Sequence, residues 1–392
     1  MSLSQDLECI LNVVDRADPG FAGVGRARID SAVGDLRKEV AQNDTDAFLL
    51  AAMRLLALAG NGHTRLIPNK AISVLPFRFV CVGAGVFLTS TDPVQAGEQA
   101  SRLVAVNGTP VSEIERAAAG YLAGTPQRKR VIGPILLAWP AALARLGVAG
   151  QAHQTTYRFE NAEGQLSEVT APHAKTVPAS TLYPVAEHGR ADPVPALGGF
   201  AQISEISAEC LAIALPGFLE TKTNALAEAI SAAAAGVRAQ PDRFLVIDVR
   251  GNTGGDFLKT MPLIDAIAER TRERVCAVLV DKFTFSAAIV FVALLKYRLG
   301  DRMVLVGEEM GDGLRFFAEG GTVDLPASGA AVRYASAFHD WENGSTDETT
   351  PPEIARCVVP VRRLDIDRHW VATPFDATPR DLAWRRLADA LA

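Results

Sequence analysis

Residues 244–256 read FLVIDVRGNTGGD: an almost wholly apolar run, Phe244–Val249, breaks into Arg250, Gly251, Asn252, Thr253, Gly254, Gly255 and Asp256. A short apolar run closed by turn residues is the pattern of a strand buried on both faces, as in a parallel sheet. The glycine turn behind it offers backbone N–H groups with no side chain in the way, which is what an oxyanion needs. A second strand-like run, Val275–Val280, leads through Asp281, Lys282, Phe283, Thr284 and Phe285 to Ser286 and then to an apolar helix. The unpaired N–H groups and the dipole of a helix N-terminus favour negative charge, so Ser286 and the N–H of Ala287 lie where a nucleophile and a developing oxyanion are both stabilised. With Gly254 or Gly255 as a second donor, the pair of signals points to acyl transfer through a serine.

The same alternation extends in both directions. From Phe200 onward the pattern predicts a strand at Leu211–Leu215 and a helix with Leu226, Ile230, Ala233 and Val237 on one face. The Phe244–Val249 strand, a helix over Leu258–Ile267, the Val275–Val280 strand, the Ser286 helix and a strand at Met303–Val306 follow. Strand–helix alternation with apolar strands predicts an α/β core, residues 200–392, built on a largely parallel sheet with its site at the carboxyl ends of the strands. Upstream, Leu7, Ile10, Leu11 and Val14, and then Phe48, Ala51, Ala52 and Leu55, recur at helical spacing and predict a helical cap over residues 1–68. Residues 69–185 read as a β-rich module, with strand pieces at Phe77–Val82, Gly85–Thr89 and Leu103–Val106, a turn over Asn107–Pro110, and a helix from Val111. The apolar stretch 132–146 is helical in tone, and residues 185–199, rich in Pro and Gly, read as a linker. The fold class expected is therefore multi-domain α/β.

A serine nucleophile needs a base. Of the six histidines, His63 stands apart, because it follows the apolar helical stretch 48–59 in the tight turn Gly60, Asn61, Gly62, His63, Thr64. A loop histidine carried by a rigid element is well placed for proton transfer. His339 is the rival. Each feature also has a plainer reading: Ser286 as small-residue packing, the glycines as an ordinary turn, His63 as a satisfied loop residue.

Other chemistries find little support. The sequence has no phosphate-binding loop and no dinucleotide fingerprint, and the segment His339–Glu342 lacks the paired-histidine spacing of zinc hydrolases. No metal or cofactor is expected. A formal net charge of −6 argues against a general nucleic-acid surface, and no apolar run is long enough to span a bilayer. Five scattered cysteines, with Cys81 and Cys276 in apolar runs, fit a reducing compartment, and the first residues lack a basic and apolar leader, so a cytoplasmic location is expected, with export through a trimmed leader as the alternative.

The stretch 245–255, LVIDVRGNTGG, resembles the strand–turn of the carboxyl-terminal-processing, or tail-specific, serine proteases. Thr284–Ala288 resembles their nucleophile motif, Val304–Glu308 the strand after it, and Asn61–Thr64 the histidine motif of the branch that includes the tricorn core protease. The resemblance covers about residues 45–70 and 200–375. It implies a serine peptidase acting on unfolded polypeptides or oligopeptides, with Ser286 as nucleophile and His63 as base. In the Ser–Lys branch a lysine follows the "vvGe" strand; here Asp312 occupies that position, which favours the histidine design. The resemblance further implies that a carboxylate in residues 339–348 orients His63, with Glu342 first, Glu348 second and Asp340 third. Leu103–Ile114 is similar to the strand–turn–helix of a PDZ domain, implying a degenerate PDZ-like module. Homo-oligomerisation is left open. The competing readings are a peptide-binding relative without catalysis, and an acyl-transferring or thioester enzyme on a related scaffold.

Overall fold

The apolar strands of the α/β core pair as parallel neighbours. In a computed structural model, which describes residues 2–89, 101–150, 153–183, 200–220, 225–240, 243–271, 274–370, 384 and 387, Phe244–Asp248 and Cys276–Val280 are buried at every position. They occupy the middle of a six-stranded sheet. Its order is Gln202–Ser207, Cys210–Ala214, Phe244–Asp248, Cys276–Val280, Met303–Gly307, Arg368–His369. The first pair is antiparallel and every other neighbouring pair is parallel, with Leu245 opposite Cys276 and Cys276 opposite Met303. Helices Leu226–Ala239, Met261–Arg270 and Ala287–Leu299 alternate with these strands. The last is buried at every residue from Ala287 to Leu295, as expected of a helix apolar on all sides. Leu226, Ile230, Ala233 and Val237 are all buried, so the predicted apolar face is the packed one. The chain thus has a multi-domain α/β fold.

The chain divides into two units, Met1–Val185 with Phe317–Ala337, and Ala186–Phe316 with Phe338–Ala392. The first begins with helices Leu3–Asn12, Arg26–Gln42 and Thr45–Ala57. Asp44 caps the third of these by accepting the Ala47 N–H at 3.0 Å. An antiparallel sheet follows in the order Phe79–Val82, Gly85–Leu88, Arg102–Val106, Gln154–Glu160, Leu166–Pro172, with helix Val111–Ala118 after the third strand. Phe77, Phe79, Tyr157 and Phe159 form its aromatic core, and the buried Tyr157 hydroxyl donates to the Leu137 carbonyl at 2.8 Å. Stretch 132–146 forms two short helices, Ile135–Ala138 and Pro140–Arg145, broken where Pro140 has no N–H to continue the first. The expected linker 185–199 lies outside the described residues. The hairpin Gly321–Leu325/Ala330–Tyr334 pairs through its second strand with Arg65–Ile67, the strand that immediately follows the His63 turn.

All five cysteines are free, and Cys81, Cys210 and Cys276 are buried as small apolar groups. Among the described residues no helix is long and apolar enough to cross a membrane, and no cluster of three or more His, Cys, Asp or Glu could hold a metal ion.

Candidate active site

Two buried carboxylates shape the turn after Phe244–Asp248. Asp248, whose side chain is fully buried, accepts from Arg250 Nε at 2.9 Å and Nη2 at 2.7 Å, and from the Trp384 indole N–H at 3.0 Å. The Arg250 guanidinium also lies over the Trp370 ring, 5.0 Å from its centre. A buried charge pair persists only when its hydrogen-bonding groups are satisfied; here the Trp384 indole supplies a donor and the Trp370 ring covers the guanidinium face. Asp281, at the end of the next strand, takes the Gly251 N–H at 3.0 Å and the Phe283 and Thr284 N–H groups at 3.0 Å each. One carboxylate therefore holds both the glycine turn and the loop that leads to Ser286. Burial pushes the Asp281 pKa up, against the Gly251 N–H and the charges of Lys282 and Arg250, which favour the carboxylate.

Asn252 links the two loops a second time. Its carbonyl accepts the Phe285 N–H at 3.0 Å, its side-chain amide donates to the Leu215 carbonyl at 2.9 Å, and its side-chain oxygen accepts the Gly254 N–H at 2.9 Å. The result is a fixed turn pressed against the serine. A Cβ added to Gly254 (φ 105°) would lie 2.8 Å from Ser286 Cβ and 3.0 Å from the Ala287 nitrogen. Gly255 bridges Phe218, which donates to the Gly254 carbonyl at 2.9 Å and accepts the Asp256 N–H at 2.9 Å. Across the trans peptide, the Gly255 N–H points away from that Phe218 bond. Of the two glycines that the sequence leaves as alternatives, Gly254 has its N–H engaged, whereas neither Gly255 nor Ala287 finds an acceptor for its N–H among the described residues.

Ser286 is the N-cap of helix Ala287–Leu299 and has φ 57°, ψ −127°. A non-glycine residue in this region costs about 1–3 kcal/mol, and such residues concentrate at functional sites. It remains partly exposed although its neighbours on both sides are buried. The lysine nearest in sequence, Lys282, is 3.1 Å from Glu308 in a buried ion pair. Asp312, at the position where a lysine would serve the alternative design, accepts the Gly313 N–H at 2.9 Å.

His63 is held by a separate network in the first unit. Asn61 donates to the Phe317 carbonyl at 2.9 Å and accepts its N–H at 3.3 Å, and Arg65 Nη1 donates to the Gly62 carbonyl at 2.9 Å. Thr64 Oγ1 donates to Asp18 at 2.6 Å, and the same buried carboxylate accepts the N–H groups of Gly20 and Ala335, each at 2.9 Å. His63 itself is 5% exposed.

Residues 339–348 are held by aromatic packing and by turn hydrogen bonds. Trp341 stands edge-on to Phe257, just past the glycine turn, with ring centres 5.5 Å apart. It also donates to His339 Nδ1 at 3.4 Å, and His339 stacks on Phe316 at 5.0 Å. Glu342 and Glu348 are both exposed. Glu342 sits in a tied backbone, with its carbonyl accepting the Arg362 N–H at 2.9 Å, while Glu348 lies in the 347–350 turn closed by Asp347 and Thr350. Asp340 is committed elsewhere, to Asn343, to Ser345 Oγ at 2.7 Å and to Arg315 at 3.4 Å. Burial pushes the Asp340 pKa up, but the bonds from Asn343 and Ser345 and the Arg315 charge outweigh it, so the net shift is downward. A depressed carboxylate pKa stabilises the fold above the unfolded value and loses that contribution as pH falls through the folded value. Asp340→Asn is expected to cost about 1–2 kcal/mol at neutral pH and to flatten the acid limb of a stability–pH curve. An unchanged acid limb would show that the 340–345 turn does not depend on that charge.

Sequence reasoning missed Asp18, Asp281 as a shared anchor, the acceptor role of Asn252, and Trp384. Asn252, Asp18 and Asp281 each accept an N–H from two residues on, the spacing of an Asx turn, so each left a local turn signal but none of its longer-range role.

No protein-family model matches the sequence, and no curated protein matches it. Solved structures do. Mature CPAF in complex with lactacystin aligns over 99% of this chain and 97% of its own at 14% identity, with a TM-score of 0.61. A second structure of mature CPAF aligns over 99% and 96% at 11% identity, with a TM-score of 0.60. A photosystem II D1 C-terminal processing protease aligns over 100% and 98% at 16% identity, but with a TM-score of 0.39. Nearly the whole length of this chain is thus built on the multi-domain α/β fold of CPAF.

Proposed function

We propose that this chain is a serine peptidase that hydrolyses peptide bonds in unfolded polypeptides or oligopeptides. The observation that carries the reading is the backbone of Ser286. A partly exposed serine in a strained strand-to-helix turn, with Gly254 packed on it, is the arrangement by which a hydroxyl is presented to a carbonyl carbon. In this reading Ser286 Oγ attacks the peptide carbonyl as His63 takes its proton, and the N–H groups of Ala287 and Gly255 receive the oxyanion. His63 then returns the proton to the leaving amine, and water repeats the sequence on the acyl-enzyme. The assignment of His63, and of Glu342 ahead of Glu348 as its orienting acid, rests on the sequence resemblance and on how firmly each backbone is held. The module at 69–185 is assigned to peptide engagement on its PDZ-like stretch.

Intact-mass measurement after treatment with a fluorophosphonate tests this directly. A single adduct on Ser286 is expected, forming at least about 10³-fold more slowly in His63→Ala. An adduct that forms equally well without the imidazole would remove His63 from the mechanism. No adduct on Ser286 in the wild type would favour a peptide-binding protein without catalysis.

A further inference from the structure

The crossovers of the α/β core leave one face of its sheet without helices. The strands Cys210–Ala214, Phe244–Asp248, Cys276–Val280 and Met303–Gly307 are neighbours in the order in which the chain makes them. Right-handed connections between parallel strands that advance in one direction across a sheet all return on the same side, so the three helices between them share one face. On the other face, Cys210, Ala212, Phe244, Val246, Ala277 and Leu279 belong to an apolar cluster. Among the described residues it takes in Trp384 and Leu387 and no residue of those helices. Trp384 is 3% exposed and Leu387 8%, so the end of the chain covers the face that the crossovers leave open.

Side chains alternate along a strand with a period of two, which puts Asp248 on this same face, beyond Phe244 and Val246. A carboxylate on an apolar face is costly to bury unless donors satisfy it. Asp248 Oδ1 accepts from the Arg250 backbone N–H at 3.1 Å and from Nε at 2.9 Å, while Oδ2 accepts from Nη2 at 2.7 Å and from the Trp384 indole at 3.0 Å. The Arg250 N–H is the first of the glycine turn, next to the Gly251 N–H that Asp281 holds. The carboxylate that the indole orients is therefore the one that fixes the backbone entering the turn, and that turn packs through Gly254 on Ser286. Any large apolar side chain at 384 would cover the sheet, but the indole also supplies a directed bond. We propose that Trp384 is a positioning residue for the glycine turn, acting through Asp248, so that the carboxyl-terminal segment on the helix-free face sets the backbone beside Ser286. The consequence for turnover rests on the peptidase reading; the coupling of the indole to the turn does not.

Hydrogen–deuterium exchange of the intact protein reads the turn without catalysis. In Trp384→Phe the amides of residues 250–256 should exchange about tenfold faster or more than in the wild type, the factor set by losing a hydrogen bond to a charged acceptor. Benzothienylalanine at 384, which keeps the bicyclic ring and replaces its N–H by sulfur, should do the same if phenylalanine loosens the packing. Leu387→Ala is the control. It opens the same apolar cluster and should lower the unfolding temperature, yet leave exchange at 250–256 as in the wild type. In the catalytic arm, Trp384→Phe should take fluorophosphonate about tenfold more slowly and lose kcat on labelled casein, with KM within about twofold of wild type. Unchanged exchange at 250–256 in both Trp384 variants, or equal acceleration in Leu387→Ala, would overturn the proposal, because the turn would then respond to burial alone. Accelerated exchange with undiminished labelling of Ser286 would likewise overturn it. If exchange accelerates but wild-type Ser286 takes no fluorophosphonate, the peptidase reading fails and the positioning of the turn stands.

Discussion

Gly254→Ala is expected to lower turnover of a dye-labelled unfolded casein roughly 10²–10³-fold at a stability cost of about 1–3 kcal/mol. The methyl group would arrive 2.8 Å from Ser286 Cβ, 3.0 Å from the Ala287 nitrogen and 3.0 Å from the Phe285 carbonyl oxygen, closer than such atoms pack. The backbone at φ 105° is itself strained for an L-residue. On the far side the turn has no room to retreat, because the neighbouring glycine is pressed on Phe218 and Asn252 is tied to Leu215. The serine is the partly exposed partner and is the one that must move. On the proposed mechanism, displacing it misplaces the nucleophile and the adjacent oxyanion donor together, so the expected loss falls on kcat and on the rate of fluorophosphonate labelling. Activity within tenfold of wild type would reject the close packing of the glycine turn on Ser286.

Asp18→Ala should destabilise the first unit by about 3 kcal/mol or more, read from the midpoint of urea denaturation. Hydrogen bonds to a charged acceptor contribute about 1.5–3 kcal/mol each, and buried donors left without an acceptor cost about 1–3 kcal/mol each. Asp18 serves the Gly20 and Ala335 N–H groups and the Thr64 hydroxyl, and it is 4% exposed, so water cannot substitute readily. Activity should fall as well, since Thr64 adjoins His63. A destabilisation below about 1 kcal/mol would mean that the hairpin and the histidine turn are held by their strand pairing alone.

Much of the second unit was legible because its signals are local. A buried parallel strand must be apolar throughout and its crossover helix must carry an apolar face, so Phe244–Asp248 and the face at Leu226, Ile230, Ala233 and Val237 could be read from the sequence. Helix Leu3–Asn12 was equally plain from Leu7 and Ile10, although its continuation passes into a π-turn at Val13–Ala17. Contacts across long stretches of chain leave no such trace. Asp18 and Ala335 are 317 residues apart, and nothing in residues 317–337 announces that they pair beside the strand after His63. Nor does the sequence around Ser286 reveal its backbone angle, which the flanking strand and helix impose. Glu342 and Glu348 could not be separated by spacing, and both are exposed, so burial does not separate them either.

The indole of Trp384 has a consequence in time. It donates to Asp248 from 136 residues further along the chain. At about 5–20 residues per second, the ribosome delivers Asp248 about 7 to 27 seconds before that indole is made. Through that interval the carboxylate beneath the glycine turn lacks one of its donors, and the Trp370 ring arrives only late in it. A nascent chain therefore carries its serine for many seconds before the scaffold beneath the glycine turn is complete. On the proposed peptidase reading, that window is when the chain is least able to cut its neighbours on the polysome, or itself.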